Sequence, residues 1–198
     1  MRLTIPNQLT ILRIIISPVL IYLFLLNEPY TQLWASILFL IGSLTDWYDG
    51  WYARRFGVIT RWGQFMDPLA DKFLVTSTLI VFAVLDYVFW WMVWIIIMRD
   101  FIITLNRIYS LTIGKAIITH TVAKWKTASQ MVVIFLILIF INWRNYYSGE
   151  INSYHAKYFD IIGITMMIVT LLTIISGIIY IYENREMLLG IFRKILHI

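Results

Sequence analysis

The chain has 198 residues, of which 61% are hydrophobic, and its mean hydropathy is +0.79. This composition excludes a soluble globular domain and provides for about six membrane spans of roughly 20 residues each. The absence of cysteine excludes disulfides and thiol catalysis. The net charge of +5 indicates basic cytoplasmic loops of a membrane protein rather than nucleic-acid binding.

The hydropathy pattern predicts an all-α integral membrane protein with six transmembrane helices and a short N-terminal interfacial helix. We expect a single domain over residues 1–198, in which residues 1–10 are the interfacial segment. The six spans are predicted over residues 11–26, 33–54, 67–85, 89–110, 123–141 and 159–182. A polar loop over 142–157 precedes the last span, and residues 183–198 form a basic amphipathic tail.

The distribution of Lys and Arg predicts the orientation of these spans. With six spans both termini lie on the same side of the membrane, and of the basic residues only Arg144 and Lys157 fall on the other side. Positive charge accumulates on the cytoplasmic side of membrane proteins. We therefore expect both termini and the aspartate site of residues 46–71 to face the cytoplasm.

Four aspartates lie close together in this apolar chain: Asp46, Asp49, Asp67 and Asp71. Carboxylates beside membrane-spanning helices are costly, so their presence indicates a function. Asp46 and Asp49 are three residues apart and Asp67 and Asp71 are four apart, so each pair shares one face of a helix. Two antiparallel helices would direct all four carboxylates to one spot.

A metal site would explain this convergence, because four neighbouring carboxylates cannot all be ionised and unpaired. Oxygen ligands without nearby Cys or His favour Mg²⁺, Mn²⁺ or Ca²⁺ over Zn²⁺, and two ions sharing carboxylates would suit phosphoryl chemistry. Gly50 and Ala53 leave room for a ligand, Arg54 could hold a phosphate, and Pro68 suits the first turn of the second helix. The alternative is that the aspartates are helix caps or ion-pair partners.

Basic residues of the fourth and fifth spans form a second candidate site: Arg99, Arg107, Lys124 and Lys126. Arg99 lies within an apolar run, and the neighbouring Asp100 does not share its helical face, so Asp100 is not an obvious partner for it. Clustered cations beside a metal site suit an anionic acceptor, especially a phosphate. The alternative for the lysines is that they anchor the cytoplasmic membrane surface.

Eight positions of the aspartate region form a known pattern. The order Asp-x2-Asp-Gly-x2-Ala-Arg-x8-Gly-x3-Asp-x3-Asp is complete between Asp46 and Asp71 and resembles the signature of the CDP-alcohol phosphatidyltransferase family. Residues 5–13, 67–72 and 124–131 resemble the phosphatidylglycerophosphate synthase branch of that family. Asp100, where this branch usually has Glu, and Asn106, where it usually has an apolar residue, depart from the pattern.

The resemblance implies transfer of a phosphatidyl group from CDP-diacylglycerol to sn-glycerol 3-phosphate, with release of CMP, in phospholipid biosynthesis. It implies two divalent ions, Mg²⁺ or Mn²⁺, bridged by Asp46 and Asp67 and completed by Asp49 and Asp71, with Asp71 also the general base. The CDP-diacylglycerol-binding residues that it implies are Asn7, Thr10, Gly50, Ala53, Arg54, Thr60 and Gly63. The acceptor phosphate would bind Arg99, Arg107, Lys124 and Lys126. It further implies a homodimer in the inner or plasma membrane of a prokaryote.

Other interpretations stay open on the sequence alone. Asn7 and Thr10 suit helix capping equally well, and Thr60 could be an ordinary turn hydroxyl. The acceptor could be phosphatidylglycerol, giving cardiolipin, or an inositol-type alcohol. A cation transporter with intramembrane aspartates is an alternative of another class, although the sequence shows neither the inverted repeats nor the broken helices usual in such transporters.

Overall fold

The computed structural model describes residues 5–56, 61–112, 121–147 and 154–185. These residues form six helices: α1 (Ile5–Leu25), α2 (Pro29–Phe56), α3 (Arg61–Val84), α4 (Trp90–Thr112), α5 (Thr121–Tyr147) and α6 (Ile161–Glu183). The predicted all-α fold is therefore confirmed. Most of the predicted basic tail, residues 186–198, lies outside the described residues.

Three of the six helices are long and apolar enough to cross a membrane. Their apolar segments are Asn7–Leu25 in α1, Lys124–Tyr147 in α5 and Ile161–Glu183 in α6. Helices α2, α3 and α4 carry the four aspartates, Arg99, Asp100 and Arg107, and these charged side chains lower the hydropathy of the three helices. The chain is thus a membrane protein, while the crossing of all six helices stays a prediction.

Three predicted boundaries differ from the structure. Residues 5–10 are not a separate interfacial helix, since they are the first turns of α1 and their Asn7 and Thr10 are buried inside the bundle. Helix α3 begins at Arg61, so Pro68 lies inside it and Asp67 is not at its N-terminus. Proline has no backbone N–H, so one helical hydrogen bond is missing at Pro68. Helix α3 nevertheless continues through this position, where it packs against α1. Helix α5 continues to Tyr147, into the predicted polar loop.

The helices pack around a core of large apolar side chains. Helix α1 lies against both α2 and α3, α3 contacts α4, and α6 packs on α4 and α5. Phe24 and Phe82 pack edge to face with ring centroids 6.2 Å apart, and Phe39 and Phe135 do so at 5.4 Å. These contacts hold α1, α2 and α3 in one unit, and that unit carries the four aspartates.

A glycine lets α2 and α3 approach each other near the aspartates. A Cβ atom on Gly42 would lie 2.8 Å from the Cδ2 atom of Leu74, which is buried. Gly42 stands one turn before Asp46, and Leu74 stands three residues after Asp71. The buried Leu74 side chain therefore fills the space beside Gly42, close to the aspartates of both helices.

The other end of the bundle is closed by aromatic and polar contacts. The rings of Tyr87 and Tyr154 stack with centroids 5.2 Å apart, and the Tyr154 hydroxyl donates to Asp160. Asp160 caps α6 by accepting a hydrogen bond from Gly163 N at 2.7 Å. Burial, together with the bond to Asp160, raises the pKa of the Tyr154 hydroxyl, which therefore stays protonated as a donor.

Candidate active site

The aspartate site is built around an arginine from α1. Arg13 is 0% exposed, its Nη1 donates to Asp46 Oδ1, and its Nη2 donates to Asp49 Oδ2. Asp46 and Asp49 lie about one turn apart on α2, and the planar guanidinium can reach both carboxylates at once. A fully buried arginine needs such partners, because an isolated charge in an apolar interior is strongly unfavourable.

Helix α3 adds the second aspartate pair to this site. Asp67 accepts a hydrogen bond from the Thr10 hydroxyl of α1. The charges of Asp71 and Asp67 both act on Asp46, and the charge of Asp67 acts on Asp49. The structure thus brings the four predicted carboxylates within electrostatic reach of one another.

The donors of this site suit a hard divalent cation, since carboxylate oxygens are the ligands that Mg²⁺ and Mn²⁺ prefer. Across the described residues, no three Asp, Glu or His side chains stand close enough together to hold a metal ion in this conformation. Arg13 instead binds Asp46 and Asp49. Metal ligation by the aspartates therefore remains a proposal.

A second buried cluster surrounds Asp100 on α4. Its carboxylate binds Lys72 Nζ of α3 at 3.2 Å, Arg99 Nη1 at 2.9 Å and Lys126 Nζ of α5 at 2.6 Å. Arg99 and Asp100 thus do form an ion pair, although their helical positions make them unlikely neighbours by spacing alone. The long arginine side chain reaches back to the carboxylate, which is buried and needs positive partners.

Several donor groups of this cluster have no hydrogen-bond partner among the described residues. Arg99 Nε and Nη2 and Gln130 Nε2 are buried and make no hydrogen bond in the described structure. The side-chain oxygen of Gln130 accepts a bond from Lys126 Nζ, which fixes the amide beside the cations. Unsatisfied buried donors are unfavourable, and an anionic ligand would satisfy them.

Lys72 joins the two clusters. Its Nζ lies 3.2 Å from Asp100 Oδ2 and 3.7 Å from Asp71 Oδ2. Lys72 follows Asp71 directly on α3, so one helix supplies a carboxylate to the first cluster and a cation to the second. The two candidate sites are therefore neighbouring parts of one polar region.

The other predicted site residues are placed as follows. Asn7 and Gly63 are buried, Gly50 is half-buried, and Arg107 and Lys124 are exposed. Ala53 and Arg54 belong to α2, but their side chains lie outside the described structure, as does the whole of Thr60. Within the described residues, neither Arg107 nor Lys124 is among the cations bound to Asp100.

A family model described as CDP-alcohol phosphatidyltransferase matches residues 3–182. The chain belongs to the CDP-alcohol phosphatidyltransferase family. It is 31% identical over 195 residues to the CDP-diacylglycerol–glycerol-3-phosphate 3-phosphatidyltransferase of Bacillus subtilis (strain 168), with 92% of this chain and 96% of that protein covered. The proteins of the same name from Rickettsia bellii (strain RML369-C) and Wigglesworthia glossinidia brevipalpis are 32% and 37% identical. These matches cover 88% and 74% of this chain, and 92% and 81% of the relatives.

Four residues of this phosphatidyltransferase were not predicted as site residues: Arg13, Lys72, Asp100 and Gln130. Arg13 carried a detectable signal, because it follows Asn7 by six residues and Thr10 by three inside an apolar helix. A polar face of this kind on a membrane helix indicates a buried site. Lys72 carried no comparable signal, since its partner Asp100 comes from another helix, and Gln130 is recognisable only through its contact with the buried Lys126.

Proposed function

We propose that this phosphatidyltransferase moves the phosphatidyl group of CDP-diacylglycerol to sn-glycerol 3-phosphate and releases CMP. The observation that carries the proposal is the contact between two clusters of opposite charge: Lys72 lies between Asp71 of the acidic cluster and Asp100 of the cationic one. The names of the relatives support the same reaction. A reaction between a nucleotide-linked lipid and a phosphorylated alcohol needs these two kinds of site side by side.

The acidic cluster would hold two divalent cations, Mg²⁺ or Mn²⁺. Asp46 and Asp67 would be shared between them, with Asp49 completing one ligand set and Asp71 the other. Bound there, the ions would supply charge neutralisation for the diphosphate and for the leaving nucleotide. Cations are needed at this cluster because its carboxylates repel one another and would also repel an anionic substrate.

The start of α1 and the end of α2 would bind the CDP group. Asn7 and Thr10 are buried beside α3, on the side from which Thr10 reaches Asp67. Gly50 and Ala53 would let the diphosphate approach the α2 backbone, and Arg54 would bind it. The remaining proposed contacts to this substrate are Thr60 and Gly63.

The cluster around Asp100 would bind the phosphate of the acceptor. Among the described residues, three cations share this one carboxylate, and of the three Lys72 also meets Asp71, so the region keeps excess positive charge. In the described part of the chain, Arg99 Nε and Nη2 and Gln130 Nε2 face no protein acceptor. Lys126 and Arg99 would bind the phosphate directly, with Arg107 and Lys124 at the exposed side. Such a site favours glycerol 3-phosphate over a neutral alcohol.

The chemistry would take place where the two clusters meet. Asp71 would accept the proton of the acceptor hydroxyl, whose oxygen forms a bond to the β-phosphorus of CDP-diacylglycerol. The bond from that phosphorus to the CMP oxygen breaks, and CMP leaves with the electron pair. Lys72, 3.7 Å from Asp71, would hold this carboxylate toward the acceptor site. Positioning and electrostatic stabilisation account for catalysis, as in other phosphoryl transfers.

In the membrane, all six helices would cross the bilayer with both termini and the active site at the cytoplasmic face. The apolar outer faces of the helices would lie against lipid and the diacyl chains of the substrate. The protein would act as a homodimer in the inner or plasma membrane of a prokaryote.

Purified protein in lipid–detergent micelles tests the reaction directly. Radiolabelled CDP-diacylglycerol is supplied with glycerol 3-phosphate, phosphatidylglycerol, inositol or glycerol, and the lipid products are identified with and without Mg²⁺. Of the four acceptors, we expect only glycerol 3-phosphate to give a lipid product, which is phosphatidylglycerophosphate. In the Asp67→Asn variant we expect the rate of transfer to fall on the order of 10³-fold. Equal use of glycerol, or transfer that is unchanged by Asp67→Asn, would contradict the proposal.

A further inference from the structure

The guanidinium of Arg13 occupies an unusual place for an arginine in an apolar helix. Its side chain is 0% exposed and it bonds to one oxygen of Asp46 and one of Asp49. Its Nε atom is buried and makes no hydrogen bond in the described structure. The two carboxylates are therefore the partners that hold this charge inside the bundle.

The same two carboxylates need Arg13. Asp49 is buried, and Asp46 and Asp67 lie close enough for their negative charges to act on it, so a cation bonded to it stabilises this arrangement. Lys72, another described cation next to this acidic cluster, lies 3.7 Å from Asp71 and is shared with Asp100. Among the described side chains, Arg13 is thus the cation that directly bonds the α2 pair.

We infer that Arg13 is the internal counter-ion of the aspartate site: its positive charge offsets part of the negative charge of Asp46 and Asp49 when no divalent cation is bound, and it competes with the cation for them. This inference rests on the proposed function, because it takes the aspartates to be metal ligands. Arg13 is a positioning residue, since it acts through the two carboxylates and not on the substrate.

Two consequences follow from competition for the same oxygens. Removal of the charge on Arg13 leaves Asp46 and the buried Asp49 of the metal-free protein repelling each other, which lowers its thermal stability. The same change removes a positive charge beside the cation and frees two ligands, so the cation binds more tightly. A residue that only supports the fold would lower stability without tightening metal binding.

The test compares wild type with Arg13→Gln, Arg13→Lys and Arg55→Gln. Mn²⁺ is titrated into each purified, chelator-treated protein, free Mn²⁺ is measured by electron paramagnetic resonance, and the Tm is recorded with and without Mn²⁺. For Arg13→Gln we expect a lower metal-free Tm and a larger increase in Tm on adding Mn²⁺. The Kd for Mn²⁺ should fall about tenfold, which means tighter binding. Arg13→Lys keeps the charge but not the two-pronged geometry, so its Kd should stay near that of wild type.

Arg55→Gln is the matched control, because Arg55 is an exposed arginine near the end of α2. It should change neither the Kd nor the Tm. Should Arg13→Gln fail to fold without metal, the double variant Arg13→Gln/Asp46→Asn restores the charge balance. Its metal-free Tm should lie closer to that of wild type than the Tm of the single variant, as expected for coupled residues.

The outcomes separate this inference from the proposed function. Mn²⁺ binding that is lost in Asp67→Asn but is not tightened in Arg13→Gln would overturn the role of Arg13 and leave the metal site intact. A double variant no more stable than Arg13→Gln would also overturn it. Absence of Mn²⁺ binding in wild type would overturn both.

Discussion

At the scale of single residues, the buried charges decide what each cluster can bind. Lys126 is 0% exposed and bonds both Asp100 and Gln130, so its ammonium is held in place before any ligand arrives. Lys124, two residues earlier on α5, is exposed. The two lysines of the predicted cation set thus have different environments, and we expect Lys126 to contribute more than Lys124 to binding of the acceptor phosphate.

The acceptor site can be tested by removing the buried ammonium. Lys126→Ala should raise the KM for glycerol 3-phosphate about tenfold to a hundredfold, because a charge-assisted hydrogen bond to phosphate is lost. Its KM for CDP-diacylglycerol should hardly change. Lys124→Ala should raise this KM less. Lys157 is an exposed lysine at the other end of the bundle, so Lys157→Ala should leave the KM unchanged. Steady-state kinetics that show no change in Lys126→Ala would argue for a neutral acceptor.

The proposed base can be separated from the substrate contacts. Asp71→Asn removes the proton acceptor but keeps the size of the side chain, so turnover should fall about 10²- to 10⁴-fold. Binding of CDP-diacylglycerol should stay close to that of wild type, since Asp46, Asp49 and Asp67 are still present. Equilibrium binding and turnover are measured on one preparation. Parallel loss of both would assign Asp71 to substrate binding and not to proton transfer.

At the scale of helices, the approach of α2 to α3 controls the geometry of the acidic cluster. The space between them at Gly42 is already filled by the buried side chain of Leu74. Helix α6 shows a looser contact, because a Cβ atom on Gly177 would lie 3.4 Å from Arg99 Cγ. A methyl group would therefore clash with a buried side chain at Gly42 but make an ordinary van der Waals contact at Gly177.

Gly42→Ala should destabilise the protein by up to about 2 kcal/mol, because overpacking outweighs the gain in helix propensity. It should also lower turnover by moving the two aspartate pairs apart. Gly177→Ala should be neutral or stabilising. Thermal unfolding and activity of both variants are compared, and the double variant Gly42→Ala/Leu74→Val should recover part of the loss. A higher Tm for Gly42→Ala would show that the helices are not in close contact there.

At the scale of the whole molecule, the polar contacts are concentrated at two levels of the bundle. One level contains the aspartate and Asp100 clusters, which α1 to α5 build together. The other contains the stacked tyrosines, the Asp160 cap and the ion pair between His155 and Asp86. The core of apolar side chains lies between them, as expected for a bundle that crosses a bilayer.

The orientation of the bundle is open to a clean labelling test, since the chain has no cysteine. Arg55→Cys and Lys157→Cys each place one thiol at an exposed position, at the active-site end and at the opposite end. In intact cells a membrane-impermeant maleimide should label Lys157→Cys but reach Arg55→Cys only after permeabilisation. The opposite pattern would place the active site outside the cytoplasm.

The sequence by itself determined the helical class, the aspartate pairs and the family. Runs of apolar residues predict helices because each helix satisfies its own backbone hydrogen bonds, and spacings of three and four residues place Asp46 with Asp49 and Asp67 with Asp71 on shared faces. These are local properties of the chain. Residues at fixed gaps in one stretch also carried the resemblance to the phosphatidyltransferases.

Only the tertiary structure decided which charges meet. Arg13 is 33 residues from Asp46 and 36 from Asp49, and Asp100 is 28 residues from Lys72 and 26 from Lys126. Such pairings depend on how each helix is rotated and how closely it packs on its neighbours, which spacing within one helix does not specify. The start of α3 before Pro68 has the same origin, because packing against α1 stabilises a turn that local sequence rules would end.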